Sequence, residues 1–150
     1  MLNFLSEEIV FQEVPDEVSL SYLITGCPLR CKGCHSKDSW NKNLGTALTA
    51  NYLEERIKNY QGLISCLLFM GGEWEADYLE QLLIIGKKSG LETCLYTGLE
   101  LEEVPKNLIK HLDFLKTGRW IEHLGGLDSP TTNQRFFKLA MSNEQLAISN

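Results

Sequence analysis

The stretch Leu63–Met70 constrains this fold more than any other part of the sequence. It is a near-continuous apolar run closed off by Gly62 and by Gly71-Gly72, and its length is that of a strand. A run without polar alternation marks a strand buried on both faces, which is the situation inside a parallel sheet covered by helices. The flanking patterns supply those helices. Thr49 to Tyr60 reads as a helix, with Thr49 as N-cap, Leu53, Ile57 and Tyr60 on one face, and Gly62 as the stop. Ala76–Ser89 reads as a second, with Leu79, Leu82 and Leu83 inward and Gly90 ending it. Before them, Val18, Leu20, Tyr22 and Ile24 predict a first strand that stops just short of Gly26. After them, Leu91–Tyr96 predicts a third strand, Pro105–His111 a short helix with Pro105 in its first turn, and Leu112–Lys116 a fourth strand. Arg135–Leu139 is a further strand candidate.

Strands alternating with helices give an α/β class with a mostly parallel sheet, in which ligands bind at the carboxyl ends of the strands. The segments that follow the strands fit that rule. They are Gly26-Cys27, Gly71-Gly72-Glu73-Trp74, Thr97-Gly98 and Thr117-Gly118-Arg119, and all are expected at one edge of the sheet. Glycines there let a ligand approach the backbone closely, and Glu73 is suited to accept from an ammonium group; a solvated acid at a loop end is the plain alternative. With 150 residues the chain reads as a single domain over 1–150, its core at about 18–139 and a polar tail at 140–150. His111, near a helix end, reads as a capping residue.

Charge narrows the partners. The net charge is −6, which argues against tracking a nucleic-acid backbone, so no nucleic acid is expected. The apolar runs are too short to span a bilayer, and Met1–Ser6 followed by Glu7 and Glu8 lacks the pattern of a secretory leader; no membrane association and a cytoplasmic location are expected. Within this acidic chain, Arg30, Lys32, Lys37 and Lys42 form a basic island.

Three of the five cysteines lie in that island, as Cys27-x3-Cys31-x2-Cys34 followed by His35. Cys66 and Cys94 sit in apolar stretches and read as core. Four chemistries compete for the cluster. A thioredoxin-like pair would use Cys31 and Cys34 and leave Cys27 idle. Structural zinc needs a fourth ligand, for which His35 is available. Cys31-x-x-Cys34-His35 also matches a haem-attachment pattern, which normally forms after export. Three thiolates can instead hold an iron–sulfur cluster with one iron open to substrate, and the spacing favours this, zinc being next.

Together these residues resemble the radical S-adenosylmethionine enzymes, through the cysteine loop and Gly71-Gly72-Glu73 after the next strand. Gly26-Cys27-Pro28, Gly33-Cys34-His35, Trp40-Asn41 with Gly45, Tyr96-Thr97-Gly98, Leu127-Asp128-Ser129-Pro130 and Thr132-Asn133-Gln134-Arg135 are similar, within that superfamily, to the activating proteins of anaerobic ribonucleoside-triphosphate reductase. The resemblance departs at Val14-Pro15-Asp16-Glu17, where an Asp-Gly-Pro-Gly stretch is common, and at Trp74, where proline is usual. It implies an incomplete, open (β/α) barrel and a 4Fe–4S cluster on Cys27, Cys31 and Cys34. It further implies S-adenosylmethionine with its methionyl end held by Gly71, Gly72 and Glu73 and its adenosyl part near Gly33 and His35. No catalytic residue beyond the cluster ligands is implied. The implied activity is reductive cleavage to a 5′-deoxyadenosyl radical that generates a glycyl radical on the reductase. The implied partners are the large subunit of that reductase, through its glycyl loop, and an electron donor such as flavodoxin.

Overall fold

The structure, a computed structural model, describes residues 1–27, 43–139 and the strand at 146–148. Its frame is one eight-stranded sheet. In chain order the elements are β1 (Asn3–Val10), β2 (Ser19–Ile24), β3 (Thr46–Ala47), α1 (Ala50–Asn59), β4 (Cys66–Met70), α2 (Ala76–Lys88), β5 (Glu92–Tyr96), α3 (Lys106–Ile109), β6 (Phe114–Thr117), β7 (Arg135–Leu139) and β8 (Leu146–Ile148). The sheet order is β3-β1-β2-β4-β5-β6-β7-β8. The centre, β2-β4-β5-β6, is parallel; the flanking pairs β3-β1, β1-β2, β6-β7 and β7-β8 are antiparallel. The class is thus mixed α/β, with the parallel arrangement concentrated where the apolar strands lie.

Alternation along β4 explains why its sequence is apolar throughout. Leu67 and Phe69 join the larger core cluster, with Leu53 and Ile57 of α1 and Leu79, Leu82 and Leu83 of α2. Cys66 and Leu68 point the other way, into a second cluster with Cys94, Phe114, Phe136 and Val14. Both faces exclude water, so neither can carry polar residues cheaply. The second cluster is covered by the segment between β1 and β2, where the Tyr96 hydroxyl donates to the carbonyl of Glu13. Burial pushes the Cys66 thiol up to about 12, and raises Cys94 well above its ordinary value, so both stay protonated core residues.

Local signals held where they were strong. Thr49 caps α1, its Oγ1 accepting from the Tyr52 N–H at 3.1 Å. Arg56 and Lys58 occupy the last turn of α1, next to the negative end of the helix dipole. The sequence limits of 18–139 for the core leave out two strands of the sheet. β1 contributes Phe4, and the residue just before it Leu2, to the larger core cluster, and β8 pairs with β7 inside what reads as a polar tail. His111 does not cap its helix; its Nε2 lies 2.9 Å from Glu80 Oε2 on α2. Among the described residues no helix is long and apolar enough to cross a membrane.

Candidate functional site

Parallel register fixes where the site must be. Leu23 lies opposite Met70, Met70 opposite Tyr96, and Tyr96 opposite Lys116, so the four central strands end at one edge. The segments that follow them therefore gather there. Cys27, half-buried, comes three residues after β2; Gly71-Gly72-Glu73 follows β4; Thr97-Gly98 follows β5; and Gly118-Arg119 follows β6. Backbone bonds stitch these segments together beyond the strands. The Gly71 N–H donates to Tyr96 O at 2.9 Å, Thr97 N–H to Lys116 O at 2.9 Å, and Gly118 N–H to Leu99 O at 2.8 Å. Cys31, Cys34, Gly33 and His35 lie outside the described residues, as do Arg30, Lys32, Lys37 and Lys42. The structure thus brings Gly71, Gly72 and Glu73 to the same edge as Cys27.

The turn between β4 and α2 requires its two glycines. Gly71 has φ of 98° and Gly72 of 108°, in the left-handed region that a Cβ disfavours. Space is tight for a side chain as well. A Cβ on Gly71 would lie 2.8 Å from Trp74 Cη2, and one on Gly72 would lie 3.2 Å from Leu2 Cδ1. Trp74, in the position where the resemblance has proline, thus wedges its indole against the Gly71 backbone and packs on the larger core cluster. The turn is clamped rather than loose, which presents Glu73 in a fixed place.

Glu73 is the unusual group. It is only 6% exposed, so it is no solvated loop-end acid. Its Oε1 has no hydrogen-bond partner among the described residues. A buried charge without a counter-ion is costly, and such a carboxyl holds its proton instead. Burial accordingly pushes Glu73 up to about 7, the polar surroundings at its own backbone and at Thr97 pulling only weakly the other way. A cation with N–H donors would complete this environment: an ammonium group would supply both the charge and the missing bond. A ligand such as an α-amino acid end fits this chemistry, and the donor set fits the methionyl end of S-adenosylmethionine.

Two supporting features were not assigned roles from sequence. Thr97, 4% exposed, is one; its sequence signals were its place directly after a central strand and the Tyr96-Thr97-Gly98 stretch of the resemblance. The other is the closure of the 118–134 segment. Gln134 Nε2 donates to Gly118 O at 3.2 Å and Asn133 Nδ2 to Arg119 O at 3.1 Å, tying the end of β6 to the start of β7.

Comparison with known proteins places this geometry. The chain is 29% identical over 96 residues to the pyruvate formate-lyase-activating enzyme of Clostridium pasteurianum, covering 60% of this chain and 40% of that one. It is 30% identical over 79 residues to the pyruvate formate-lyase 1-activating enzyme of Escherichia coli K12, covering 49% of this chain and 32% of that one. It is 23% identical over 109 residues to the anaerobic ribonucleoside-triphosphate reductase-activating protein of Enterobacteria phage T4, covering 67% and 70%. The chain thus spans well under half the length of the two pyruvate formate-lyase activators. A family model described as a 4Fe-4S single cluster domain matches residues 17–136. Family and relatives together support a 4Fe–4S cluster and S-adenosylmethionine as the cofactors. With most of its length matched, from the start of β2 into β7, the chain belongs to the 4Fe-4S single cluster domain family.

Proposed function

We propose that this protein is a radical S-adenosylmethionine activating enzyme, an oxidoreductase that generates a glycyl radical on anaerobic ribonucleoside-triphosphate reductase. The observation that carries the proposal is the orphaned, buried Oε1 of Glu73 beside the clamped Gly71-Gly72 turn, on the strand edge that also bears Cys27. Cys27, Cys31 and Cys34 would hold the cluster, and Gly71, Gly72 and Glu73 the methionyl end, with Gly33 and His35 at the adenosyl part. A reduced cluster held there would supply the one-electron reduction of the sulfonium, the chemistry by which S-adenosylmethionine would give methionine and a 5′-deoxyadenosyl radical able to take a hydrogen atom from a glycine of the target.

The chain's own residues do the positioning. Glu73, ionised, accepts from the ammonium and neutralises it in a site of low dielectric, where such a pair counts for more than in water. Trp74 and Leu2 seat the turn so that Glu73 does not drift. Ile24 at the end of β2 and Phe69 next to the end of β4, both fully buried, limit water near the reacting bond. We infer further that the sheet, which runs from β3 to β8 without returning on itself in strand order, curves as an incomplete barrel open to a glycyl loop. In this reading 1–150 is one domain acting in the cytoplasm, with flavodoxin as a suitable electron donor.

The reductase is favoured as target because the phage activating protein is matched over 70% of its own length, against 40% and 32% for the pyruvate formate-lyase activators. Those two relatives support a second reading, an activator of a pyruvate formate-lyase-type enzyme. Anaerobic reconstitution with iron and sulfide, then dithionite and S-adenosylmethionine, is expected to give methionine and 5′-deoxyadenosine. Undiminished turnover by Cys27→Ala overturns the reading. Electron paramagnetic resonance on each candidate target, incubated with the reduced protein, distinguishes the two: the glycyl doublet is expected on the reductase.

A further inference from the structure

We propose that Trp74 is a positioning residue that sets the spacing between the end of β2, which leads into Cys27, and the Gly71-Gly72-Glu73 turn after β4. This rests on the reading of that edge as the site for S-adenosylmethionine, and it names what holds the two halves of the site in relation.

The backbone alone does not fix that spacing. β2 and β4 run in register from Ser19 opposite Cys66 to Leu23 opposite Met70. Beyond that pair the two ends are tied to opposite neighbours. On the β2 side, Ile24 lies opposite Phe4 of β1, and the Thr25 N–H donates to Asn3 O at 2.9 Å. On the β4 side, the Gly71 N–H donates to Tyr96 O of β5 at 2.9 Å. The segment that carries Cys27 thus follows β1, and the turn that carries Glu73 follows β5. Side chains have to bridge them.

Trp74 stands where that bridge is needed. The point at which a Cβ would sit on Gly71 has Trp74 Cη2 at 2.8 Å, Trp74 Cζ3 at 3.3 Å and Ile24 Cβ at 3.7 Å. The edge of the indole and the Ile24 side chain therefore converge over Gly71, one from each half. Trp74 packs against the core cluster to which Ile24 belongs. Gly71, with φ of 98°, has no side chain to keep the two apart. That side of Gly71 is filled by the chain itself, which leaves a ligand the peptide groups of the turn and Glu73. The indole is also fastened to Glu73 through the backbone. Residues Glu73–Glu75 form a short helical turn, and the Glu75 N–H donates to Gly72 O at 3.0 Å. A proline at this position, as the resemblance has it, carries a ring too short for the contact with Ile24, so the bridge belongs to this sequence.

Each half keeps its own backbone ties when the indole is removed, so what changes is their relation. A shorter side chain lets the ends of β2 and β4 settle independently. The thiols and the ammonium acceptor remain, but a molecule held at the turn no longer meets the cluster loop in the reactive geometry. A misplacement of about 1 Å costs on the order of 100-fold in rate.

The test uses the full chain, reconstituted anaerobically, as wild type, Trp74→Leu and Trp74→Phe. In Trp74→Leu, iron and sulfide content should be unchanged and the Kd for S-adenosylmethionine should rise no more than about threefold. Single-turnover release of methionine and 5′-deoxyadenosine is expected to fall on the order of 100-fold. Trp74→Phe, which keeps a smaller ring, should lie between the two. Hydrogen–deuterium exchange, resolved to single amides and run without S-adenosylmethionine, gives a readout independent of activity. The Thr25 and Gly71 amides are expected to exchange faster together in Trp74→Leu, while the Gly118 amide, which donates to Leu99 O, keeps its wild-type rate. An unchanged rate at Thr25 overturns the inference. So does an equal rise at Gly118, which marks general loosening, and so does a loss of binding as large as the loss of cleavage. If Thr25 and Gly71 respond as expected while even the wild type fails to bind S-adenosylmethionine, the bridging role of Trp74 stands and the proposed ligand falls.

Discussion

Two carboxylates sit within this fold and are treated in opposite ways. Glu7, on β1, is surrounded by donors. It accepts from the Tyr22 hydroxyl at 2.6 Å, the Tyr52 hydroxyl at 3.2 Å and Arg56 Nε at 3.2 Å, and its Oε1 pairs with Arg56 Nη2 at 3.0 Å. Arg56 is itself braced, donating to the Tyr60 hydroxyl at 2.8 Å and lying over the Tyr60 ring. Among the described residues Glu73 has no cation partner and one oxygen unmatched. A buried charge whose donors are all supplied by the chain holds elements together; one whose donors are half supplied is completed by something else. The first ties β1 and β2 to α1. The second sits on the strand edge, where the proposed function places the ligand's ammonium group.

The largest expected effect breaks the first network. Glu7→Ala leaves the Arg56 guanidinium and the fully buried Tyr22 hydroxyl without their acceptor. A loss of about 3 kcal/mol in unfolding free energy is expected, read from urea titration of the reconstituted protein. A loss below about 1 kcal/mol would mean that Glu7 is no more structural than a surface acid.

Next is the ligand side of the comparison. Glu73→Gln keeps the shape but removes the charge that balances an ammonium. S-adenosylmethionine binding is expected to weaken on the order of 100-fold, while iron and sulfide content is retained. Calorimetric titration under anaerobic conditions measures it.

The same substitution sharpens the contrast through pH. A carboxyl whose folded pKa is raised holds its proton longer folded than unfolded, so its contribution to stability is present below the ordinary value of 4.5 and is lost as pH rises to about 7. Wild-type stability is therefore expected to fall across that window by about 2 kcal/mol relative to Glu73→Gln, the two coinciding near pH 4.5. Parallel curves would show that Glu73 is solvated after all.

How much of this could be read from the sequence follows from the range of the interactions. The helices α1 and α2 and the strands β2, β4, β5 and β7 are written in local periodicity, and the edge that gathers Cys27, Gly71 and Thr97 follows from parallel order alone. β1 was hidden because Glu7 and Glu8 break its apolar pattern. Glu7 makes sense only against Arg56, 49 positions away, and Tyr22, 15 away. The depth of Glu73 was equally hidden. The turn that carries it is packed against Trp74 and Leu79 and also against Leu2, 70 positions before Gly72, a contact that no local pattern encodes. The cysteine spacing was legible as chemistry, but two of its three thiols lie outside the described residues.

The smallest effect asks which holds which, the network or the helix that carries half of it. α1 brings Tyr52 and Arg56 to Glu7, and its first turn is fastened by Thr49 Oγ1 accepting the Tyr52 N–H. If the helix is seated mainly by Leu53 and Ile57 in the core, loss of the cap costs only the cap itself: Thr49→Ala is expected to lower stability by about 1 kcal/mol. In a double-mutant cycle with Glu7→Ala the two losses should then add. A coupling well above about 0.5 kcal/mol would show instead that the cap acts through Tyr52 on the carboxylate, making the network and the first turn of α1 a single unit. Additivity leaves Glu7 as the clamp between sheet and helix, with Thr49 fastening only the end of α1.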